Sequence, residues 1–173
     1  ETVYRDVDFG ASVILGTQSN GKQLVYAGQK SGSVWAFEPD TGKVAWRKSL
    51  GTGGPLGGVH WGIAFHNNTV FVPISNVGVP IKGEWDADPS IKPGLYALDA
   101  KTGKIKWQFN PEKPEGAQRW RGNVFSAAPA IIDGAVVSAA LDGTLYINDA
   151  KTGKALWSYQ TNKEYEALNG VKG

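Results

Sequence analysis

Three residues stand out for what their side chains can do. Asp8, just before Phe9-Gly10, is a carboxylate that can take a proton from a hydroxyl group or cap the turn that follows. Lys30, in Ala27-Gly28-Gln29-Lys30-Ser31-Gly32, can place a cation against developing negative charge or stand as a solvated turn lysine. Trp61, set between glycine-rich stretches in Leu56-Gly57-Gly58-Val59-His60-Trp61-Gly62, offers a ring that can meet a flat ligand or plug a channel. His60 and Phe125 are weaker candidates, for which a rim and a core reading carry the greater weight. Asn76 has a slight case as a rim contact.

Other chemistries find no support. The chain has 173 residues and no cysteine, which removes thiolate catalysis, disulfides and covalent haem attachment from this stretch. His60 and His66 are the only histidines, and their spacing makes no convincing metal pair. Gly51–Gly58 is glycine-rich, but no P-loop Lys-Ser/Thr and no helix follow it. No Ser-His-Asp set is recognisable by spacing. Gln118-Arg119-Trp120-Arg121-Gly122 could touch a polymer or an anion, although a solvated loop is the simpler reading. A net charge of +2, without a basic run, gives no reason to expect nucleic acid or a membrane surface as partner.

The elements that must position these residues are set by a repeat. Ser33–Trp46, Gly94–Trp107 and Thr144–Trp157 align as strand, turn, and strand ending in Trp. Gly42, Gly103 and Gly153 suit the left-handed position of each turn. Asp99 and Asp149 can accept hydrogen bonds from their loops, whereas the first copy has Glu38 there and a different cap is expected. Two further strands precede each pair: Ala11–Gly16 and Gln23–Ala27, Gly62–Phe65 and Thr69–Ile74, Ala128–Ile132 and Ala135–Ala140.

Runs such as Val34-Trp35-Ala36-Phe37 and Leu95-Tyr96-Ala97-Leu98 are apolar on both faces, as stacked sheets require. With 23 Gly, 7 Trp, 6 Tyr and 6 Phe, the composition suits short strands, tight turns and rings between layers. The sequence thus predicts an all-β chain, a β-propeller of four-stranded antiparallel blades. Blades fall at about 9–50, 59–110 and 124–161, with 162–173 leading into a further blade. Trp46, Trp107 and Trp157 are expected to pack between blades. The spacing leaves loop insertions at 76–93 and 110–121, expected on one rim. Three blades do not close a ring, which takes about four to eight, so the chain reads as about three blades of a larger propeller, a piece of a longer protein.

The unit Ala-x-Asp-Ala-Lys-Thr-Gly-Lys-x-x-Trp resembles the pyrroloquinoline-quinone (PQQ) repeat. Outside it, Asp6–Ser12 resembles the Trp-Asp-Phe-Gly/Ala segment of the PQQ-dependent quinoprotein alcohol dehydrogenases. Leu56–Gly62 is similar to a segment of the polyvinyl-alcohol dehydrogenase branch. Asn123-Val124-Phe125-Ser126-Ala127-Ala128-Pro129, followed by Leu141–Leu145, matches the family's penultimate blade in order and spacing. The chain departs from the pattern at Val7, where larger members carry Trp, and at Phe125, where many carry Trp.

The resemblance implies an eight-bladed ring, of which this chain is about three blades, and oxidation of an alcohol to a carbonyl. Asp8 would be the general base, with Lys30, Trp61 and Phe125 at the cofactor. It implies PQQ and calcium, with the calcium ligands mostly outside this stretch. It also implies a cytochrome c or fused haem domain as electron acceptor, the remaining blades as partners, and a periplasmic or secreted location. The same repeat also resembles cofactor-free scaffold propellers that act in outer-membrane protein assembly, the alternative reading.

Overall fold

A computed structural model describes residues 7–51, 53–54, 56–77, 80–81, 84–85, 92–112 and 124–172. Fourteen strands and no helix are found among them. The first sheet is β1 (Ile14–Thr17), β2 (Gln23–Gly28), β3 (Ser33–Phe37) and β4 (Val44–Ser49), in that spatial order. The second contains β5 (Ala64–His66), β6 (Thr69–Ile74), β9 (Gly94–Asp99) and β10 (Ile105–Phe109), ordered β5-β6-β9-β10. Between β6 and β9 lies a separate hairpin of β7 (Pro80–Ile81) and β8 (Glu84–Trp85), inside the anticipated 76–93 insertion. The third is β11 (Ala130–Ile132), β12 (Ala135–Ala139), β13 (Thr144–Asp149) and β14 (Ala155–Gln160). Every pairing is antiparallel, so each sheet is a meander of the predicted kind. The innermost strands are shorter than the sequence suggested, because residues 11–13, 62–63 and 128–129 approach them as connecting segments. The 110–121 insertion lies mostly outside the described residues, as does Gln118–Gly122 entirely.

The turns behave as their residues demand. Gly42, Gly103 and Gly153 take positive φ of 67°, 70° and 75°. Asp99 Oδ1 accepts from Thr102 N–H at 2.9 Å and from its hydroxyl at 2.7 Å. Asp149 repeats this with Thr152, and those bonds, the hydroxyl's first, hold its carboxyl below the usual carboxylate range. Glu38 is different: it turns away to pair with Lys22 at 2.8 Å. In each outer hairpin the register slips just before the Trp, leaving Ala45, Lys106 and Leu156 as bulge residues.

Two apolar seams join the three sheets. The first packs Tyr26, Leu24, Ala36 and Trp46 against Val70, Val72, Ile74 and Leu98. The second packs Ala64, Phe71, Leu95 and Ala97 against Phe125, Val136 and Ala140. Each is fastened in the same way. Trp46 Nε1 donates to the Ala100 carbonyl at 2.9 Å, and Trp107 Nε1 to that of Ala150 at 3.1 Å. Each indole also lies on the next blade's turn glycine. A Cβ on Gly103 would sit 2.6 Å from the Trp46 ring, and one on Gly153 2.5 Å from that of Trp107. The glycine therefore serves two needs, a left-handed backbone and a surface flat enough for an indole. Trp157 has no such partner among the described residues and is 48% exposed, stacked on Tyr159.

Candidate functional site

The hairpin turns that bear the Trp-docking glycines form one rim of the blade stack; the segments that enter β1, β5 and β11 lie on the other. On that second rim Asp8 and Lys30 are in contact. Lys30 N–H donates to the Asp8 carbonyl at 2.9 Å, and Lys30 Nζ lies 3.2 Å from Asp8 Oδ1. The two ends of this pair differ in setting: the Lys30 side chain is 15% exposed and that of Asp8 64%. The cation is thus held in the protein while the carboxylate faces outward.

Glycines let the second blade reach this pair. Val59 N–H donates to the Gln29 carbonyl at 3.2 Å, laying the segment before β5 across the β2–β3 turn. Gly58 has φ of 64°, and a Cβ there would collide with the Lys30 carbonyl. A Cβ on Gly10 would lie 3.0 Å from the His60 carbonyl, 3.3 Å from Lys30 Cε and 3.7 Å from Asp8 Oδ1. Gly10 is therefore the point around which Asp8, Lys30 and His60 gather. On the far side, a Cβ on Gly62 would stand 2.7 Å from Ala128 Cβ, so the same segment also abuts the third blade.

His60 links the second and third blades. Its Nδ1 lies 3.0 Å from Ser126 Oγ, donor or acceptor according to tautomer. Its ring is 4.9 Å from that of Trp61, which is 64% exposed. Asp8, Lys30 and His60 thus gather at Gly10, and His60 reaches on to Ser126, so the arrangement spans three blades. Phe125 is not part of it. Its ring is fully buried in the second seam, stacked on Tyr146 at 5.6 Å and edge-on to Phe109 at 6.3 Å. That is a core placement, which offers no face to a ligand on the rim. Asn76 is buried as well. Ser126 was not singled out from the sequence, although it stands within the quoted Asn123–Pro129 segment; only the fold reveals His60 as its partner.

The chemistry available is therefore a carboxylate open to solvent, a cation withdrawn beside it, and an exposed indole nearby. No group of three or more His, Asp or Glu that could hold a metal ion occurs among the described residues.

Comparison with known proteins bears on the chain as a whole. Residues 30–172 match the PQQ_2 family, described as outer membrane protein assembly factor BamB. The chain belongs to the PQQ_2 family. It is 33% identical over 143 residues to a polyvinylalcohol dehydrogenase of Sphingopyxis sp. (strain 113P3), which covers 80% of this chain and 21% of that protein. A polyvinylalcohol dehydrogenase of Pseudomonas sp. is 37% identical over 149 residues, 83% of this chain and 22% of that protein. The chain thus spans about one fifth of the length of the curated relatives it matches. Among solved structures, quinohemoprotein alcohol dehydrogenase from Comamonas testosteroni superposes with a TM-score of 0.60 at 21% identity, over 90% of this chain and 21% of that one. BamB from Moraxella catarrhalis gives 0.57 at 19%, over 87% and 38%. At such identities the likeness speaks for the fold, which is the propeller blade stack. This PQQ_2 chain has dehydrogenases as sequence relatives and shares its fold with both dehydrogenases and an assembly factor.

Proposed function

We infer that the chain is part of a quinoprotein alcohol dehydrogenase, three blades that carry the proton-accepting side of its site. The observation that carries this reading is the Asp8–Lys30 pair at 3.2 Å, assembled on the rim that also bears exposed Trp61. Both curated relatives of the chain are polyvinylalcohol dehydrogenases. A polymeric or other secondary alcohol is accordingly the proposed substrate. Residues 162–173 would lead into a further blade, and a cytochrome or haem domain would take the electrons. The periplasm is the proposed location.

The residues present fit an oxidised quinone: Lys30 offers a cation to its oxygens and Trp61 a flat ring to its face. When bound, PQQ would supply the hydride acceptor. Asp8, on the solvent side, would take the substrate hydroxyl proton. Lys30, largely withdrawn from water, would hold positive charge where negative charge develops, and low solvent access strengthens that interaction. The His60–Ser126 contact would fix the segment bearing Trp61. No calcium site is formed among the described residues, and the ligands for that ion would come mostly from the rest of the ring.

The test is to reconstitute the intact protein with calcium and PQQ and follow dye reduction with several alcohols, polyvinyl alcohol among them. Alcohol-dependent reduction that Asp8→Asn slows by about 10²–10⁴-fold is expected. The 173-residue chain alone should be inactive, and turnover by it would refute the division of the site. A second reading has an observation of its own, since the matching family is described as an assembly factor. A folded protein giving no dye reduction with any alcohol would favour a cofactor-free scaffold.

A further inference from the structure

The two seams follow one plan, but the second is the more polar. Strand registers match their positions, since Tyr26 faces Ala36, Phe71 faces Ala97 and Val137 faces Ile147. Leu24 of the first seam is thereby replaced in the second by Thr69, Val72 by Ser138 and Leu98 by Asn148. All six residues are buried. Asn148 Nδ2 donates to the Gly153 carbonyl at 3.0 Å, but its Oδ1 and the Ser138 hydroxyl have no hydrogen-bond partner among the described residues. Buried polar atoms left in that state favour any opening that lets water reach them.

At the turn rim the second seam also lacks the first seam's fastenings. In the first, Tyr26 OH donates to the Ala100 carbonyl at 3.1 Å, beside the Trp46 indole. Asn68 Oδ1 accepts from Ser19 N–H at 2.8 Å, and its amide donates to Ser19 Oγ at 2.7 Å. In the second, Phe71 has no hydroxyl to offer Ala150. Gly134 holds the place of Asn68, its carbonyl accepting from Ala150 N–H as that of Asn68 accepts from Ala100 N–H. With no side chain at Gly134, no clamp forms. A cleft of about 550 Å³ lies at this level, with Thr69, Lys106, Gly134 and Lys151 around it. Trp107 is accordingly half-buried, whereas Trp46 is 8% exposed.

The other rim reverses the contrast. There Phe109 of the second blade sits against Phe125 and Tyr146 of the third, with ring centroids 6.3 and 5.2 Å away. The first seam has Lys48 in the place of Phe109. His60 also spans the second seam on this rim, reaching Ser126 at 3.0 Å. We propose that the second seam is a one-sided hinge: the third blade parts from the second at the turn rim and pivots on the cluster of Phe109, Phe125 and Tyr146. The first seam stays closed meanwhile. Because the pivot lies on the rim of Asp8 and Lys30, the His60–Ser126 contact persists as the turn rim parts.

Two indoles report on the two seams in matched settings, since the Trp46 and Trp107 N–H groups each donate to a carbonyl of the next blade. Their hydrogen exchange is measured by NMR in the intact protein, with the peaks assigned by Trp46→Phe and Trp107→Phe. Protection of such a group follows the population of the locally opened form, and Trp107 should exchange about tenfold faster than Trp46 or more. Ser138→Val restores the first seam's residue and should slow Trp107 exchange by about tenfold while leaving Trp46 unchanged. Phe71→Tyr, which returns the missing hydroxyl, should act in the same direction. Ser126→Ala should leave Trp107 exchange unchanged, because its contact is kept at the pivot. Equal exchange of the two indoles would overturn the proposal. So would a Trp107 rate that neither restoring variant slows, which is what plain exposure of its ring would give. Faster Trp107 exchange in Ser126→Ala would mean that the seam parts as a whole, and would overturn the pivot.

Discussion

On one rim of this blade stack, the turns closing β3–β4, β9–β10 and β13–β14 are near copies of one another. On the other, the segments entering β1, β5 and β11 share almost nothing. The first rim is where the second and third blades each receive the preceding blade's indole, and one solution fits both seams, so its residues recur. The second rim assembles Asp8, Lys30, His60 and Ser126, each contributed once and none of them part of the repeating unit. The repeated indole docking and the proposed chemistry thus lie on opposite rims, and damage to the two should look different.

The largest expected effect is on the docking side. Trp107→Ala removes a ring that fills the second seam together with its hydrogen bond to Ala150, and should cost about 3–5 kcal/mol of stability by denaturant titration. Next, Asp8→Asn in the reconstituted intact protein should lower the rate of alcohol-dependent dye reduction by about 10²–10⁴-fold. Its unfolding midpoint should stay put, because the side chain is mostly exposed. A Trp107→Ala variant with normal stability, or an Asp8→Asn variant that unfolds, would break the segregation by rim.

A finer test compares two glycines of identical turn type. In the 173-residue chain, Gly42→Ala should cost only the left-handed backbone strain, about 1–2 kcal/mol, since nothing lies within 4 Å of its added Cβ. Gly103→Ala adds a collision with the Trp46 ring and should cost about 1–3 kcal/mol more. Equal losses would mean that the indole does not depend on the bare glycine.

The smallest effect concerns Asp149, whose carboxyl is held low chiefly by the Thr152 hydroxyl and then by backbone N–H groups. A folded-state value below the reference of 3.8 stabilises the chain above that pH, and the contribution is lost as pH falls through the lowered value. Thr152→Val should move the Asp149 titration back towards 3.8, read by carboxyl NMR, and should reduce the loss of stability between neutral and acid pH.

Much of the docking rim was legible in the sequence because its physics is local. A Gly two residues before a strand, an Asp four residues before that Gly and a Trp four residues after it describe one hairpin without reference to anything distant. Even the odd first copy could be foreseen, although that Glu38 would find Lys22 could not. The chemical rim was legible only through resemblance. Nothing in residues 6–12 says that Asp8 meets Lys30, because that contact depends on how β1 and the β2–β3 turn fold together. Gly10 reads as an ordinary turn residue until His60 is brought against it from the next blade. Phe125 shows the converse, a ring whose position in a motif suggests the surface but whose neighbours Tyr146 and Phe109 enclose it.

The indole-on-glycine contact has a direction. Each blade lends its Trp forward along the chain and offers its turn glycine backward, so the series has a head and a tail. Coupling of this kind passes only between adjacent members, as in a one-dimensional lattice. A lesion at Gly103 is therefore charged to the blade before it, and one at Trp107 is felt by the blade after it. Gly42 and Trp157 are the two terminal valences of that series, one backward and one forward.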